Sequence, residues 1–159
     1  MSTATATATA TALIPHLVVN DAAAASEFYQ AAFGAAEHFR MPEPKGGTRL
    51  MHVSLGIGDL KLMLCDDFPE YCGGVSKAPK PGVPTGVTLH LDVPDCDATF
   101  EQAIAAGATP VMPPMDAFWG DRYAKLTDPF GHEWSLAHRL TAEQKAAAEK
   151  AWAEWQATN

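Results

Sequence analysis

The 159-residue chain is short of positive charge, cysteine and long apolar runs, and each shortage closes off a class of function. Eleven Lys and Arg against 19 Asp and Glu leave a formal net charge of -8. That charge repels phosphate backbones and anionic membrane surfaces, and no basic run interleaved with aromatics offsets it, so neither nucleic acid nor membrane is an expected partner. No apolar stretch approaches the roughly 18 residues of a membrane span. Cys65, Cys72 and Cys96 are odd in number and form no close ligand pair, which argues against a disulfide framework and against a zinc knuckle. No Gly-rich phosphate loop follows a strand, and no Ser or Cys has a recognisable nucleophile context. The opening MSTATATATATA lacks the basic start and apolar middle of a secretory signal, reads as a low-complexity tail over residues 1–12, and leaves a cytoplasmic protein as the expectation.

What is present is an internal repeat. LIPHLVVNDAAAASEFYQAAFGA, from Leu13, aligns with VTLHLDVPDCDATFEQAIAAGA, from Val87, so that His16 falls on His90 and Asp21 on Asp95. A one-residue offset then brings Gly34 onto Gly107. Each copy runs from a β-rich segment into an Asp suited to cap a helix and ends at a Gly suited to the left-handed position that closes one. The segment after each helix fits three short strands separated by Gly, Pro and Asp turns, giving βαβββ twice. The predicted organisation is a first module over 13–66, a Gly- and Pro-rich linker over 67–86, a second module over 87–139, and a C-terminal helix within 140–159, the two modules forming one domain. The Thr141/Gln144 pair reads as a capping box for that helix, which places Ala148, Trp152 and Trp155 on one face.

Strand parity separates two faces. Leu13, Pro15, Leu17 and Val19 oppose Ile14, His16 and Val18; Val87, Leu89, Leu91 and Val93 oppose Thr88, His90 and Asp92. The fully apolar side belongs under the helix, so His16 and His90 point away from it.

Paired βαβββ units, an Asp-capped helix ending in Gly-Ala and the closing DPFGHEW resemble the vicinal oxygen chelate superfamily, which includes glyoxalases, bleomycin-resistance proteins and extradiol dioxygenases. The longer run MPPMDAFWGDRYAKLTDPFGHEW, with MHVSLGIGD and LMLCDD upstream, resembles its PhnB-like branch. The resemblance spans about residues 13 to 139 and implies an α+β fold whose two modules curl mixed sheets around a cleft. It also implies a divalent metal on the first and last strands of each module. The matching positions here are Ile14, Thr88 and Ser135, and LKLMLC in the first module carries no His, Glu or Gln. A hydroxyl at best is a poor donor set for such a cation. No metal and no other cofactor is therefore expected.

The candidate ligand-binding set is His16, His52, Thr88, His90, Trp119, Arg122, Tyr123 and Ser135. The two repeat-related imidazoles can hydrogen-bond an anion or carbonyl, transfer protons near neutral pH, or hold a metal in an unusual way with Glu133 as a third ligand. Alternatively they are partly buried rings bonded to their neighbours. AFWGDRY supplies apolar surface with donors, Arg122 being either a ligand clamp or the partner of an Asp such as Asp121 or Asp128. His132 reads as a structural hydrogen bonder. Two functions are compatible with these residues: a metal-independent protein binding a small metabolite or antibiotic in the cleft, and an enzyme of the same scaffold (lyase, isomerase or group transferase) using a non-standard metal site or a His acid/base pair. A homodimer is expected from open sheet edges and the Trp152/Trp155 face.

Overall fold

The computed structural model describes residues 10–158 apart from 81 and 84, so most of the low-complexity tail lies outside the described residues. The first module contains β1 (His16–Val19), α1 (Ala22–Phe33), β2 (Ala36–Pro42), β3 (Leu50–Ile57) and β4 (Leu60–Asp66). The second contains β5 (Thr88–Asp92), α2 (Cys96–Ala105), β6 (Thr109–Asp116), β7 (Asp121–Thr127) and β8 (Glu133–Arg139), and α3 (Ala142–Thr158) closes the chain. The sheets have strand orders β1-β4-β3-β2 and β5-β8-β7-β6, each mixed because the first strand runs parallel to the last.

Local chemistry explains where the helices begin and end. The Asp21 carboxylate accepts from Ala24 N at 2.9 Å and Asp95 from Ala98 N at 3.0 Å, each satisfying a donor that the first turn leaves free. Gly34 closes α1 at φ 65°, a conformation that costs a residue with a Cβ. Thr141 and Gln144 exchange reciprocal bonds of 3.2 and 2.9 Å at the start of α3.

Each helix covers the apolar side of its own sheet. Leu17, Val19, Val53, Leu55, Leu62 and Leu64 are buried with Ala25, Phe28, Tyr29 and Ala32 of α1; Leu91, Ala124, Leu126, Trp134 and Leu136 are buried with Phe100 and Ala103 of α2. Each large side chain so buried contributes about 1.5–3 kcal/mol, which fixes strand register because a one-residue slip would turn the whole set to water. The helices also pack on each other, so both lie on one side of the molecule and both open sheet faces lie on the other.

The modules are joined through Asp128, which is buried in the turn before β8. Its Oδ1 accepts from Phe130 N and His132 N, both at 2.9 Å. Its Oδ2 accepts from Trp134 Nε1 at 2.9 Å and from the Tyr29 hydroxyl of the other module at 2.6 Å. Around this carboxylate Phe33 packs on Trp134 at 4.9 Å, and the Tyr29 ring lies 5.5 Å from it. His132 Nε2 sits 3.2 Å from Val18 O, and Gln102 Nε2 donates to Ala31 O at 2.7 Å, two more links between modules.

No helix among the described residues is long and apolar enough to cross a membrane. Helix α3 lies along its own chain near β6, where Trp152 stacks on Phe118 at 4.6 Å. The expectation of a homodimer therefore loses part of its support from the Trp152/Trp155 face and rests on the open edges of β2 and β6.

Tyr29 gives a stability test. Burial first, and then the charge of Asp128, holds its hydroxyl well above the usual phenol range. The folded state keeps a proton that the unfolded chain releases above about pH 10, so this contribution is complete below pH 10 and declines as pH rises further. Tyr29→Phe should cost about 1–3 kcal/mol in urea unfolding at neutral pH, since it removes one donor from a buried carboxylate. The gap between the two proteins should narrow above pH 10; a gap independent of pH there would contradict this account.

Candidate functional site

The open face of the first module is built by parity. His16 is in register with Met63, Met63 with Ser54, and Ser54 with Phe39, while His52 is in register with Met41. The imidazoles of β1 and β3 lean over β4 and meet edge to face, with ring centres 5.5 Å apart, and Phe39 lies 6.1 Å beyond His52. Burial, and then repulsion from His52, holds His16 below the ordinary imidazole range. Cys65 is half-buried, and burial and the nearby Asp66 and Asp67 raise its thiol. It is not a ready nucleophile.

On the second module the corresponding face is more polar. His90 is in register with Ser135 and Ser135 with Lys125; Thr88 pairs with Glu133, and Tyr123 with Met115. His90 Nδ1 is 2.8 Å from Ser135 Oγ, and its Nε2 is 3.4 Å from Asp92 Oδ1. Glu133 accepts a short hydrogen bond from Thr88 and an ion pair of 2.6 Å from Lys125. Those two bonds, Lys125 first, hold the Glu133 carboxyl below the usual range. The His90 ring stacks on Tyr123 at 6.4 Å, and Tyr123 meets Trp119 edge to face at 5.5 Å.

The structure thus brings together His90, Ser135, Thr88, Tyr123 and Trp119, and separately His16 and His52. His16 lines a cavity of about 400 Å³ and His90 another of about 260 Å³. Both cavities share Pro15 and Leu89, so the two imidazoles flank one apolar wall at the module junction.

Arg122 lies elsewhere. Parity turns it to the helix side, where its Nε and Nη2 grip the Asp97 carboxylate of α2 at 2.8 and 2.7 Å and its Nη1 reaches Asp116 at 3.0 Å. Its partners are neither Asp121 nor Asp128, and a guanidinium so occupied is not the clamp for a ligand on the opposite face.

The polar strip does not suit a divalent cation. The Ser135 position sits beside the Lys125 ammonium, Glu133 is taken by Thr88 and Lys125, and Met63 is the register equivalent of Ser135 in the first module. Among the described residues no group of three or more His, Cys, Asp or Glu side chains is arranged to hold a metal ion. Nor does Ser135 act as an exposed nucleophile toward His90, for it is only 3% exposed and its hydroxyl serves to orient the ring.

Lys125, Met112 and Met115 also belong to this face, although the sequence-derived candidates do not include them. Parity is the signal that could have found them, because Lys125 stands two residues after Tyr123 on one strand.

The chain matches the model of the Glyoxalase/Bleomycin resistance protein/Dioxygenase superfamily over residues 9–136. It is 52% identical to an uncharacterised protein of Mycobacterium bovis over 125 residues, 79% of this chain and 81% of that one. Among solved structures it resembles TioX from Micromonospora sp. ML1 (TM-score 0.61, 27% identity, 82% of this chain and 100% of that one). It is also similar to a glyoxalase/bleomycin resistance protein/dioxygenase from Nocardioides (TM-score 0.65, 24% identity, 86% and 88% covered), a likeness of fold alone.

The His16/His52 contact predicts a titration. In proton NMR the His16 ring should titrate below the ordinary value of about 6.5, and His52→Gln should move it part of the way back. Because the folded chain resists a proton that the unfolded chain takes up, the stability His16 contributes is present above about pH 6.5 and is lost as pH falls. A His16 midpoint unaffected by His52→Gln would remove the coupling.

Proposed function

Because the chain belongs to the Glyoxalase/Bleomycin resistance protein/Dioxygenase superfamily, we propose that it is a metal-independent binding protein for a small organic molecule, held on the open face of the second module. One observation carries this reading. Where the scaffold's metal ligands would stand, the side chains bond one another in the Thr88–Glu133–Lys125 and His90–Ser135 networks. Beside them is an exposed apolar wall, with Trp119 46% and Met115 44% exposed. Fixed polar groups next to solvent-facing aromatics suit a site that orients an organic ligand by a few hydrogen bonds and holds it by contact area. The run from Met112 through Trp134 supports the PhnB-like branch as the finer placement.

A second reading has one observation in its favour. His90 stands between the Ser135 hydroxyl and the Asp92 carboxylate, an arrangement able to pass a proton to or from a carbonyl ligand. A proton donor of this kind would make the protein a lyase or isomerase.

The test is a metal analysis followed by a binding screen. Dialysed protein purified without chelator should hold no stoichiometric divalent metal. About one equivalent of zinc, nickel, manganese or iron, lost in His16→Ala or His90→Ala, would transfer the function to the enzyme. A ligand found in a metabolite and antibiotic screen should bind His90→Phe more weakly by about 1–3 kcal/mol, the worth of a hydrogen bond to a buried polar group, while the thermal midpoint is kept. Ligands indifferent to His90→Phe and Tyr123→Ala alike would place binding elsewhere.

A further inference from the structure

Helix α3 begins after the last residue matched by the superfamily model, at 136, and so is an addition to the shared scaffold. It is anchored at its start, where Leu140 N donates to Gly120 O at 3.0 Å and the Thr141/Gln144 box fixes the first turn. None of its side chains is buried. Between it and the β6/β7 end of the open face lies a cavity of about 440 Å³. The strand side supplies Met112, Met115 and Tyr123, the connecting turn Phe118 and Trp119, and the helix Trp152 and Trp155.

We propose that this cavity is a binding slot for a neutral, flat aromatic ring system, completed by α3. The proposal rests on the reading that the open face of the second module is the ligand site, and it names the class of molecule. Ring geometry is the first argument. Phe118, Trp152 and Trp155 form a parallel column, with centres 4.6 and 5.0 Å apart and planes within 16° and 17°. Trp119 meets both Phe118 and Tyr123 edge-on, at 83° and 77°. Offset stacking and edge-to-face contact are both available to a ring entering between these walls, and the two methionines adapt to its outline.

Charge is the second argument. Among the described residues, the one ionised group lining the slot is Asp116, already paired with Arg122 at 3.0 Å, and the stacked faces of Phe118, Trp152 and Trp155 are turned on one another instead of being splayed around a cation. An ionised ligand would leave water for a wall with no spare counter-charge. Shape is the third. A space of this volume, walled on one side by a helix and on the other by a hairpin, matches a single ring system and is too narrow for the surface of a second protein. The ring series Trp119–Tyr123–His90 leads from the slot to the polar strip, so a polar substituent on the ring would reach His90.

The experiment uses the full chain and N-phenyl-1-naphthylamine, a neutral fluorescent aromatic amine, with tetramethylammonium as competitor. The probe should bind saturably at one site, lose about tenfold or more of its affinity in Trp152→Ala and in Trp119→Ala, and bind Tyr71→Ala, altered at a distant exposed aromatic, as it binds the parent. Near-UV circular dichroism of each variant reports whether the modules remain packed, and nuclear Overhauser contacts between the probe and the Trp152 indole locate it directly. Displacement by tetramethylammonium would show a cation site and overturn the proposal. So would absence of saturable binding. Binding that is lost in Tyr123→Ala but unchanged in Trp152→Ala would overturn the role of α3 while leaving the open-face site standing. A dimer that dissociates in Trp152→Ala, with no contact from the probe to Trp152, would assign the slot to a second copy and overturn it too.

Discussion

The carboxylate of Asp128 is the constraint on which the arrangement of this molecule depends. Four donors converge on its two oxygens: two backbone amides of its own turn, the Trp134 indole and the Tyr29 hydroxyl. The two amides shape the DPFGH turn and so set the residue at which β8 begins. The indole pins Trp134 to the helix side, which by parity turns Glu133 and Ser135 to the open face. The phenol draws α1 of the first module against the end of the second sheet. A buried carboxylate is costly unless its lone pairs are met, and here each oxygen receives two bonds, so one residue specifies a turn, a register and a module interface.

That division explains what the residues alone disclosed. Caps, turns and strand parity are local, and Asp21, Asp95, the Thr141/Gln144 box and the alternation around His16 and His90 declare both modules and the side on which the imidazoles stand. Contacts across strands are not local. His52 reaches His16 over β4 because β4, not β2, is the neighbour of β1, and no spacing in the sequence states that order. Arg122 had acidic candidates near it in the chain, yet it pairs with Asp97, 25 residues away, because α2 crosses beneath β7. Lys125 was legible in principle from its parity with Tyr123. Its importance becomes visible only when the register sets it beside Ser135 and Glu133.

The loss of the scaffold's metal ligands on the second module is compensated chemically. Removing a cation from a ring of donors would leave buried or half-buried polar groups without partners, at about 1–3 kcal/mol each. Instead the strip is closed. Thr88 donates to Glu133, Lys125 neutralises that carboxylate, and Ser135 meets His90. No buried side-chain nitrogen or oxygen among the described residues lacks a hydrogen-bond partner. A closed network of this kind is rigid and presents fixed donors and acceptors to whatever lies over it, which favours recognition over Lewis-acid chemistry at this place.

The internal repeat is symmetric in backbone and asymmetric in chemistry, and the asymmetry indicates how one ligand is oriented. His16 and His90 occupy the same step of equivalent strands, but the first meets His52, Met63 and Phe39, whereas the second meets Ser135, Asp92 and Tyr123. Helix α3 deepens the difference because it stands over the second sheet alone, so aromatic walls rise on one side of the pseudo-twofold axis. A ligand spanning both halves would encounter an apolar, imidazole-lined surface at one end and an aromatic slot with a polar strip at the other. Such a face cannot bind a symmetric molecule equally well in its two halves, and the energy gained under α3 decides which end of an asymmetric one points toward His90.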